Sequence, residues 1–265
     1  MKLRVVTSLA ILLIIGCNCS VVDDAAPKWG HLKGRIVLEG ELPKSAPLFY
    51  KPQFAGKDGI LTVPNEDVIV DRKTKGIWNV VVYLRKKPSL IHPDLLHSKE
   101  KIVKFQAIGG RFDPHILQVR TDQAVDICSP DPFDHYVHLL PIKNEERGYR
   151  LQPESGGDHF FHVLPLAERE PVRVGCEIHC GANLAWWVVL DHPYSAVTGK
   201  DGSFEIRNLP VGEHDFTVWQ EQAKEICPIE TERVFKVSIA AGKTTTLDVK
   251  VPVSKFYRVT IHDSP

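Results

Sequence analysis

Short apolar runs recur along most of this chain at intervals of about ten residues. Residues 31–38 alternate apolar with polar, whereas residues 80–84 form an unbroken β-branched and aromatic run. The intervals between these runs contain glycine, proline, asparagine and aspartate. After the N-terminal apolar segment, no apolar pattern with a helical period is longer than two turns. Alternation of this kind with frequent turn residues predicts an all-β chain of antiparallel β-sandwiches.

The N-terminal residues have a different pattern. Lys2 and Arg4 precede an apolar run at 5–15 that is too short to cross a bilayer, which indicates an export signal. The sequence at 14–17, Ile-Ile-Gly-Cys, resembles a bacterial lipoprotein cleavage box. This resemblance implies a signal peptide at 1–17, a lipid on Cys17, a tether at 18–29 and a periplasmic or cell-envelope location with membrane attachment through the lipid. The alternative is an ordinary signal peptide that is cut nearby.

Charge and motifs exclude several classes of function. Lysine plus arginine and aspartate plus glutamate both number 33, and no block of like charge stands out, so we expect no nucleic-acid partner. The chain contains no Gly-x-Ser-x-Gly and no phosphate-binding glycine loop. We therefore expect an electron carrier or a binding module rather than an enzyme.

The densest group of potential metal ligands lies at 176–184, where Cys176, His179 and Cys180 fall within five residues. His135 and His138 precede this stretch by about forty residues. Thiolate and imidazole are ligands that suit copper or zinc. Successive residues of a strand face opposite sides, so only one of the two upstream histidines can reach an internal site. His135 lies on the apolar side and is the candidate ligand, whereas His138 is expected at the surface.

Residues 101–191 resemble a cupredoxin, the β-sandwich of plastocyanin. The resemblance rests on Phe-Asp-Pro at 112–114, on Asp-His-Tyr-Val at 134–137, and on Cys176-x-x-His179. It implies that His135, Cys176 and His179 hold one copper ion in a trigonal arrangement. The axial position of plastocyanin, a methionine, falls on Leu184, and the only methionine of the chain is Met1. We expect a higher redox potential if copper is bound beside Leu184.

The same stretch also resembles the binuclear copper loop of cytochrome oxidase subunit II, in which two cysteines four residues apart bridge two copper ions. That loop continues with a histidine and a methionine, where this chain has Leu184 and Trp187. The remaining set, with Cys180 as an extra ligand, suits a mononuclear copper site or a closed tetrahedral zinc site. The competing hypothesis is a disulfide that joins Cys180 to Cys128, Cys227 or Cys176 and closes the site.

Residues 192–265 resemble the carboxypeptidase regulatory-like module, a transthyretin-like β-sandwich. The matching sequences are Asp-Gly-Ser-Phe at 201–204 and Asn-Leu-Pro-x-Gly at 208–212. Strands at 34–37 and 76–84 look like the first strands of the same module, which implies that the cupredoxin-like part at 101–191 is inserted into it. The alternative is three sections in tandem, with 30–100 as a separate N-terminal β segment. Related modules are called carbohydrate-binding-like, so polysaccharide is a candidate partner.

The whole arrangement resembles a group of exported bacterial methylamine-utilisation or plastocyanin-like proteins, whose members usually carry Cys-x-x-His-Pro-Trp-Met. It implies a copper protein that exchanges single electrons with a redox protein of the periplasm or envelope. The alternative is a non-catalytic structural or carbohydrate-associated envelope module with a degenerate metal site. A zinc or copper site without a redox role lies between these two hypotheses.

Overall fold

The structure is a computed structural model that describes residues 28–40, 48–50, 61–63, 65–153, 157–179, 184–227, 233–256 and 262–263. The regular elements of these residues are β-strands and short 3-10 turns, among them Pro93–Leu95 and Val253–Phe256, so the all-β prediction is confirmed. Among these residues, no helix has the length and apolar content that crossing a bilayer requires. The strands are β1 Trp29–Glu39, β2 Leu48–Tyr50, β3 Leu61–Val63, β4 Ile69–Val70, β5 Val81–Leu84, β6 Ile102–Ile108, β7 Arg111–Asp113, β8 Ile116–Arg120, β9 Ala124–Cys128, β10 His135–Leu140, β11 Arg147–Leu151, β12 His159–Val163, β13 Val172–Cys176, β14 Leu184–Leu190, β15 Ser195–Val197, β16 Ser203–Pro210, β17 Gly212–Gln220, β18 Lys224–Ile226, β19 Phe235–Ile239, β20 Thr244–Thr246, β21 Val249–Pro252 and β22 His262–Asp263.

Four sheets carry most of these strands. Sheet A has the order β16-β1-β20, with β21 also paired to β1, and sheet B has the order β15-β5-β17-β18, with β19 also paired to β17. Sheet C has the order β11-β10-β13-β14-β8, and sheet D the order β12-β9-β6-β7. Two further pairs of strands are β2 with β3, which is antiparallel, and β4 with β22, which is parallel.

Sheets A and B enclose one core, and sheets C and D enclose another. Leu32 and Ile36 of β1 meet Val218 of β17 in the first core, and all three are fully buried. Phe105 of β6 packs edge-on against Trp187 of β14 in the second, with ring centroids 5.0 Å apart. Each sandwich therefore has its own interior, and burial of one such large side chain contributes about 1.5–3 kcal/mol.

Sheets C and D are formed by a continuous segment that lies, in sequence, between two neighbouring strands of sheet B. Strand β5 pairs antiparallel with β15, and every strand of sheets C and D falls between them along the chain. Strand β1 likewise pairs with β16, β20 and β21, which come after the segment. Residues 102–190 therefore lie, in sequence, between strands that pair with each other, and β1 and β5 belong to sheets A and B.

Sheets B and C pack face to face, so the two sandwiches form a stack of four layers. Val81 and Tyr83 of β5 belong to a small buried cluster with Val188 and Leu190 of β14. The neighbouring residues of β5, including Val82, point into the core of the first sandwich. Strand β5 is therefore buried on both faces, which is why its sequence is continuously apolar instead of alternating.

Sheet B is antiparallel throughout, whereas sheets A, C and D are mixed. Strands β6 and β9 run parallel, as do β8 and β14, and β1 runs parallel to β20 and β21. In addition, the polar stretch after residue 143 contains the edge strand β11, which the apolar pattern did not predict. Most side chains of β11 are exposed and only Leu151 is fully inside, so its sequence lacks an apolar alternation.

Candidate metal centre

Strand β10 places His135 inside the second sandwich. Its residues alternate between buried and half-buried, and His135, Val137 and Leu139 are each 0% exposed. His138 lies on the opposite face, where its Nε2 is 2.8 Å from Glu146 Oε1 and its Nδ1 contacts Glu177. The alternation of the strand thus separates the two histidines in the way that the sequence predicts.

Strand β13 brings the cysteine beside this histidine. Val137 pairs with Cys176 across β10 and β13, and the turn after Cys176 carries His179 back over the same point. Cys176 Sγ lies 3.9 Å from His135 Nδ1 and 3.5 Å from His179 Nδ1. One ligand atom from each residue lies within 4.8 Å of the other two, and all three residues are buried. The structure therefore brings together the three residues that the sequence selects.

Asp131 holds the far side of the His135 ring. His135 Nε2 donates to Asp131 Oδ2 at 3.0 Å, which directs Nδ1 towards the sulfur. Asp131 also accepts hydrogen bonds from the backbone amides of Gly109 at 2.8 Å and Gly110 at 3.3 Å. A carboxylate behind a ligating imidazole fixes its orientation and raises its basicity.

The β6–β7 hairpin supplies those two amides. Ile108 pairs with Arg111, so the connection has two residues, Gly109 and Gly110, with φ values of +60° and +76°. A tight hairpin turn of this type requires positive φ at both central positions, which glycine adopts without a steric penalty. The Gly-Gly pair is therefore a structural support for the carboxylate that orients His135.

Phe133 closes the pocket from one side. Its ring centroid lies 5.0 Å from that of His135 and 5.4 Å from that of His179, and only 7% of the residue is exposed. The two histidine rings themselves lie 5.1 Å apart in an edge-to-face arrangement. An apolar ring against both imidazoles limits the access of water to the sulfur.

The environment of the sulfur favours its anionic form. Burial raises the pKa of the Cys176 thiol, but hydrogen bonds with His135, His179 and the Tyr136 amide outweigh it and lower that pKa to about 5. Burial by itself lowers the pKa of His135. The hydrogen bonds with Asp131 and Cys176 outweigh burial, so the pKa of His135 lies above its ordinary value. The thiolate is the form of cysteine that binds metal, so Cys176 is ready to act as a ligand at neutral pH.

Two predicted positions lie outside the described residues, namely Cys17 and Cys180. Leu184, the predicted axial position, is half-buried at the start of β14 and pairs with Gly175, the residue before Cys176. Cys128, Cys176 and Cys227 are thiols in the described part of the chain. The role of Cys180, as an extra ligand or a disulfide partner, stays a prediction.

Two residues of the pocket, Asp131 and Phe133, were not found from the sequence. Both belong to the segment Asp131-Pro132-Phe133-Asp134 that leads into β10. An acidic residue four positions before a candidate ligand is a signal that a sequence search for supporting carboxylates can use. Asp134 carries the same charge but bonds with Arg150 Nη2 at 2.8 Å, and only the tertiary structure distinguishes the two.

Comparisons with known proteins give a partial likeness of fold. No protein-family profile matches the chain, and no curated protein matches it significantly. A purple cupredoxin from Nitrosopumilus maritimus is 15% identical, over 32% of this chain and 97% of that one, with a TM-score of 0.27. An oxidised point mutant of amicyanin is 11% identical, over 48% and 94%, with a TM-score of 0.29. The Bacillus anthracis TIE protein is 11% identical, over 85% and 50%, with a TM-score of 0.17.

None of these likenesses carries a conclusion about this chain. All identities are below 25% and all TM-scores are below 0.5. What this chain binds is therefore argued from its own residues.

Proposed function

We propose that this chain is an exported copper-binding protein that carries single electrons, with one copper ion held by His135, Cys176 and His179. The observation that supports it most directly is the convergence of one thiolate and two imidazoles in a buried pocket, with sulfur–nitrogen distances of 3.9 and 3.5 Å. Metal–ligand bonds of about 2.0–2.3 Å fit inside a set of atoms with these separations.

The residues of the pocket fit copper in chemistry as well as in spacing. Two imidazoles with one thiolate are the donor set of blue-copper sites. When bound, copper supplies a centre that takes up and releases one electron. Cys176 contributes the negative charge, and its pKa of about 5 keeps it deprotonated in neutral solution.

The surrounding residues hold this donor set in place. Asp131 fixes the ring of His135, so that Nδ1 rather than Nε2 faces the sulfur. The Tyr136 amide donates to Cys176 Sγ at 3.4 Å and stabilises its charge. Phe133 covers the two imidazoles against solvent. A pocket that is fixed before the metal enters changes little between oxidation states, which favours rapid electron exchange.

Location and partners complete the proposal. The leader at 1–17 and the cleavage-box resemblance at Cys17 favour a lipid-anchored protein of the periplasm or envelope. A redox protein of the same compartment is then the electron partner. Polysaccharide binding is proposed only through the resemblance of residues 192–265 to carbohydrate-binding-like modules.

A copper titration of the full chain tests the proposal. We expect one equivalent of Cu(II) to produce an intense visible thiolate-to-copper band, which Cys176→Ala abolishes. Cys227→Ala is the matched control, because Cys227 is also a thiol of the described residues but has no part in the pocket.

Three results would contradict it in whole or in part. A colourless copper-loaded protein with unchanged affinity in Cys176→Ala would exclude the thiolate ligand. Oxidation of both Cys176 and Cys180 in the native protein, measured by thiol counting, would favour the structural or carbohydrate-associated alternative. Zinc in place of copper in metal analysis of the native protein would remove the redox role and retain the site.

A further inference from the structure

A second cluster of metal-binding side chains lies on the outer face of sheet D. Asp126 and Cys128 are two residues apart on β9 and therefore share a face. His159 of β12 pairs directly with Cys128. One ligand atom from each of the three residues lies within 4.8 Å of the other two.

This cluster is separate from the candidate copper pocket. The ligands of the pocket belong to sheet C and to the turn after β13, whereas the three residues of the second cluster belong to sheet D. It is also more accessible, since the side chain of His159 is 51% exposed and that of Asp126 is 16% exposed. Cys128 is 4% exposed and sits below them.

The contacts already present define how the three groups are held. His159 Nδ1 lies 2.7 Å from Asp126 Oδ1, which keeps the imidazole over this face of the sheet. Gln106 of β6 pairs with Cys128 from the other side, and Lys104 pairs with Asp126. Lys104 is exposed, so its ammonium group can extend into solvent when a cation approaches.

We propose that Asp126, Cys128 and His159 form a second metal site, for a borderline divalent ion such as zinc. Thiolate, imidazole and carboxylate are the three ligand types that zinc takes in proteins. Three protein ligands leave the fourth tetrahedral position to water, which the exposure of His159 permits. This proposal is independent of copper binding at the other pocket.

The same three residue types occur in cysteine nucleophile triads, but the arrangement does not favour that use. Burial and the nearby charge of Asp126 raise the pKa of the Cys128 thiol, whereas a nucleophilic cysteine needs a lowered one. A bound cation removes that obstacle, because metal coordination deprotonates a thiol.

Zinc binding to the full chain with the Cys176→Ala substitution tests the proposal, because this background weakens the first pocket. We expect this protein to bind zinc in equilibrium dialysis, and we expect both Cys128→Ser and His159→Ala to weaken binding at least tenfold. His97→Ala is the matched control, since His97 is an exposed histidine away from the cluster. Cobalt(II) gives a second readout, a thiolate-to-cobalt band that Cys128→Ser removes.

Folding of the variants is checked without metal by circular dichroism and thermal unfolding. His159→Ala removes a half-exposed ring and should fold as the parent does, so it keeps the test valid if Cys128→Ser is unstable. The proposal stands if both substitutions weaken zinc binding and His97→Ala does not. It is overturned if the parent fails to bind zinc, if either substitution leaves affinity unchanged, or if His97→Ala weakens binding equally.

Discussion

The chain places cysteine, histidine and aspartate together twice, in opposite environments. In the inner cluster the imidazole of His135 is fully buried, and Asp131 lies behind it on Nε2. In the outer cluster the imidazole of His159 is half-exposed, and Asp126 lies on its Nδ1. The residue types are the same, but the inner sulfur has hydrogen bonds with two imidazoles and a backbone amide, whereas the outer sulfur has one with the Gln106 side chain.

The two sulfurs differ accordingly. Cys176 has His135, His179 and the Tyr136 amide within hydrogen-bonding distance, and its pKa is lowered to about 5 despite burial. Burial and a neighbouring carboxylate raise the pKa of Cys128. Burial favours a neutral thiol. Hydrogen bonds with two imidazoles and a backbone amide outweigh it at Cys176, whereas the hydrogen bond with Gln106 does not outweigh burial and the charge of Asp126 at Cys128.

His135→Ala should have the largest effect. We expect copper binding with a visible band to be lost, because one of two imidazole ligands is gone. We also expect a loss of about 1–3 kcal/mol in the free energy of unfolding, because Asp131 loses a buried partner. Copper titration and chemical denaturation measure the two effects. An unchanged band would show that the inner cluster is not the copper site.

Asp131→Asn should weaken copper binding by about 10–100-fold, because the carboxylate no longer supports the His135 ring. Copper competition titration measures the affinity. Asp134→Asn is the matched control, since Asp134 is also buried but bonds with Arg150 instead. Equal losses in the two variants would mean that Asp131 acts through general stability and not through the histidine.

The thiols of the two clusters should lose their protons at different pH values in the metal-free protein. The pKa of Cys176 is lowered to about 5, so its thiolate should be present at neutral pH and lost as the pH falls through that value. Cys128, whose pKa is raised, should stay protonated at neutral pH. Ultraviolet thiolate absorbance of the parent minus that of Cys176→Ala, or minus that of Cys128→Ser, measures each one. A Cys176 midpoint near that of an ordinary thiol would contradict the difference.

His159→Ala should have the smallest effect, both on the stability of the metal-free protein and on copper binding. Because half of its side chain is exposed, we expect the free energy of unfolding to change by no more than about 0.5 kcal/mol. The copper band should not change. Thermal unfolding and copper titration of this variant check both expectations. A large loss of stability, or a shifted band, would mean that the outer cluster supports the inner one.

Much of the inner cluster could be predicted from the sequence because its signals are local. Cys176 and His179 are three positions apart, and the strand period of two places His135 and His138 on opposite faces. These spacings fix which side chains can share a face, whatever the rest of the fold does. The unbroken apolar run of β5 could not be interpreted in this way, since burial on both faces depends on a second sandwich that packs against sheet B.

By itself the sequence determined the all-β class through its periodicity, and its resemblance to cupredoxins selected the three side chains that converge, His135, Cys176 and His179. Only the tertiary structure decided that Asp131 and not Asp134 supports His135, and that Asp126, Cys128 and His159 meet on another sheet. Those contacts join residues through strand register and a glycine turn. Register is set by the packing of whole sheets, and no short stretch of sequence contains it.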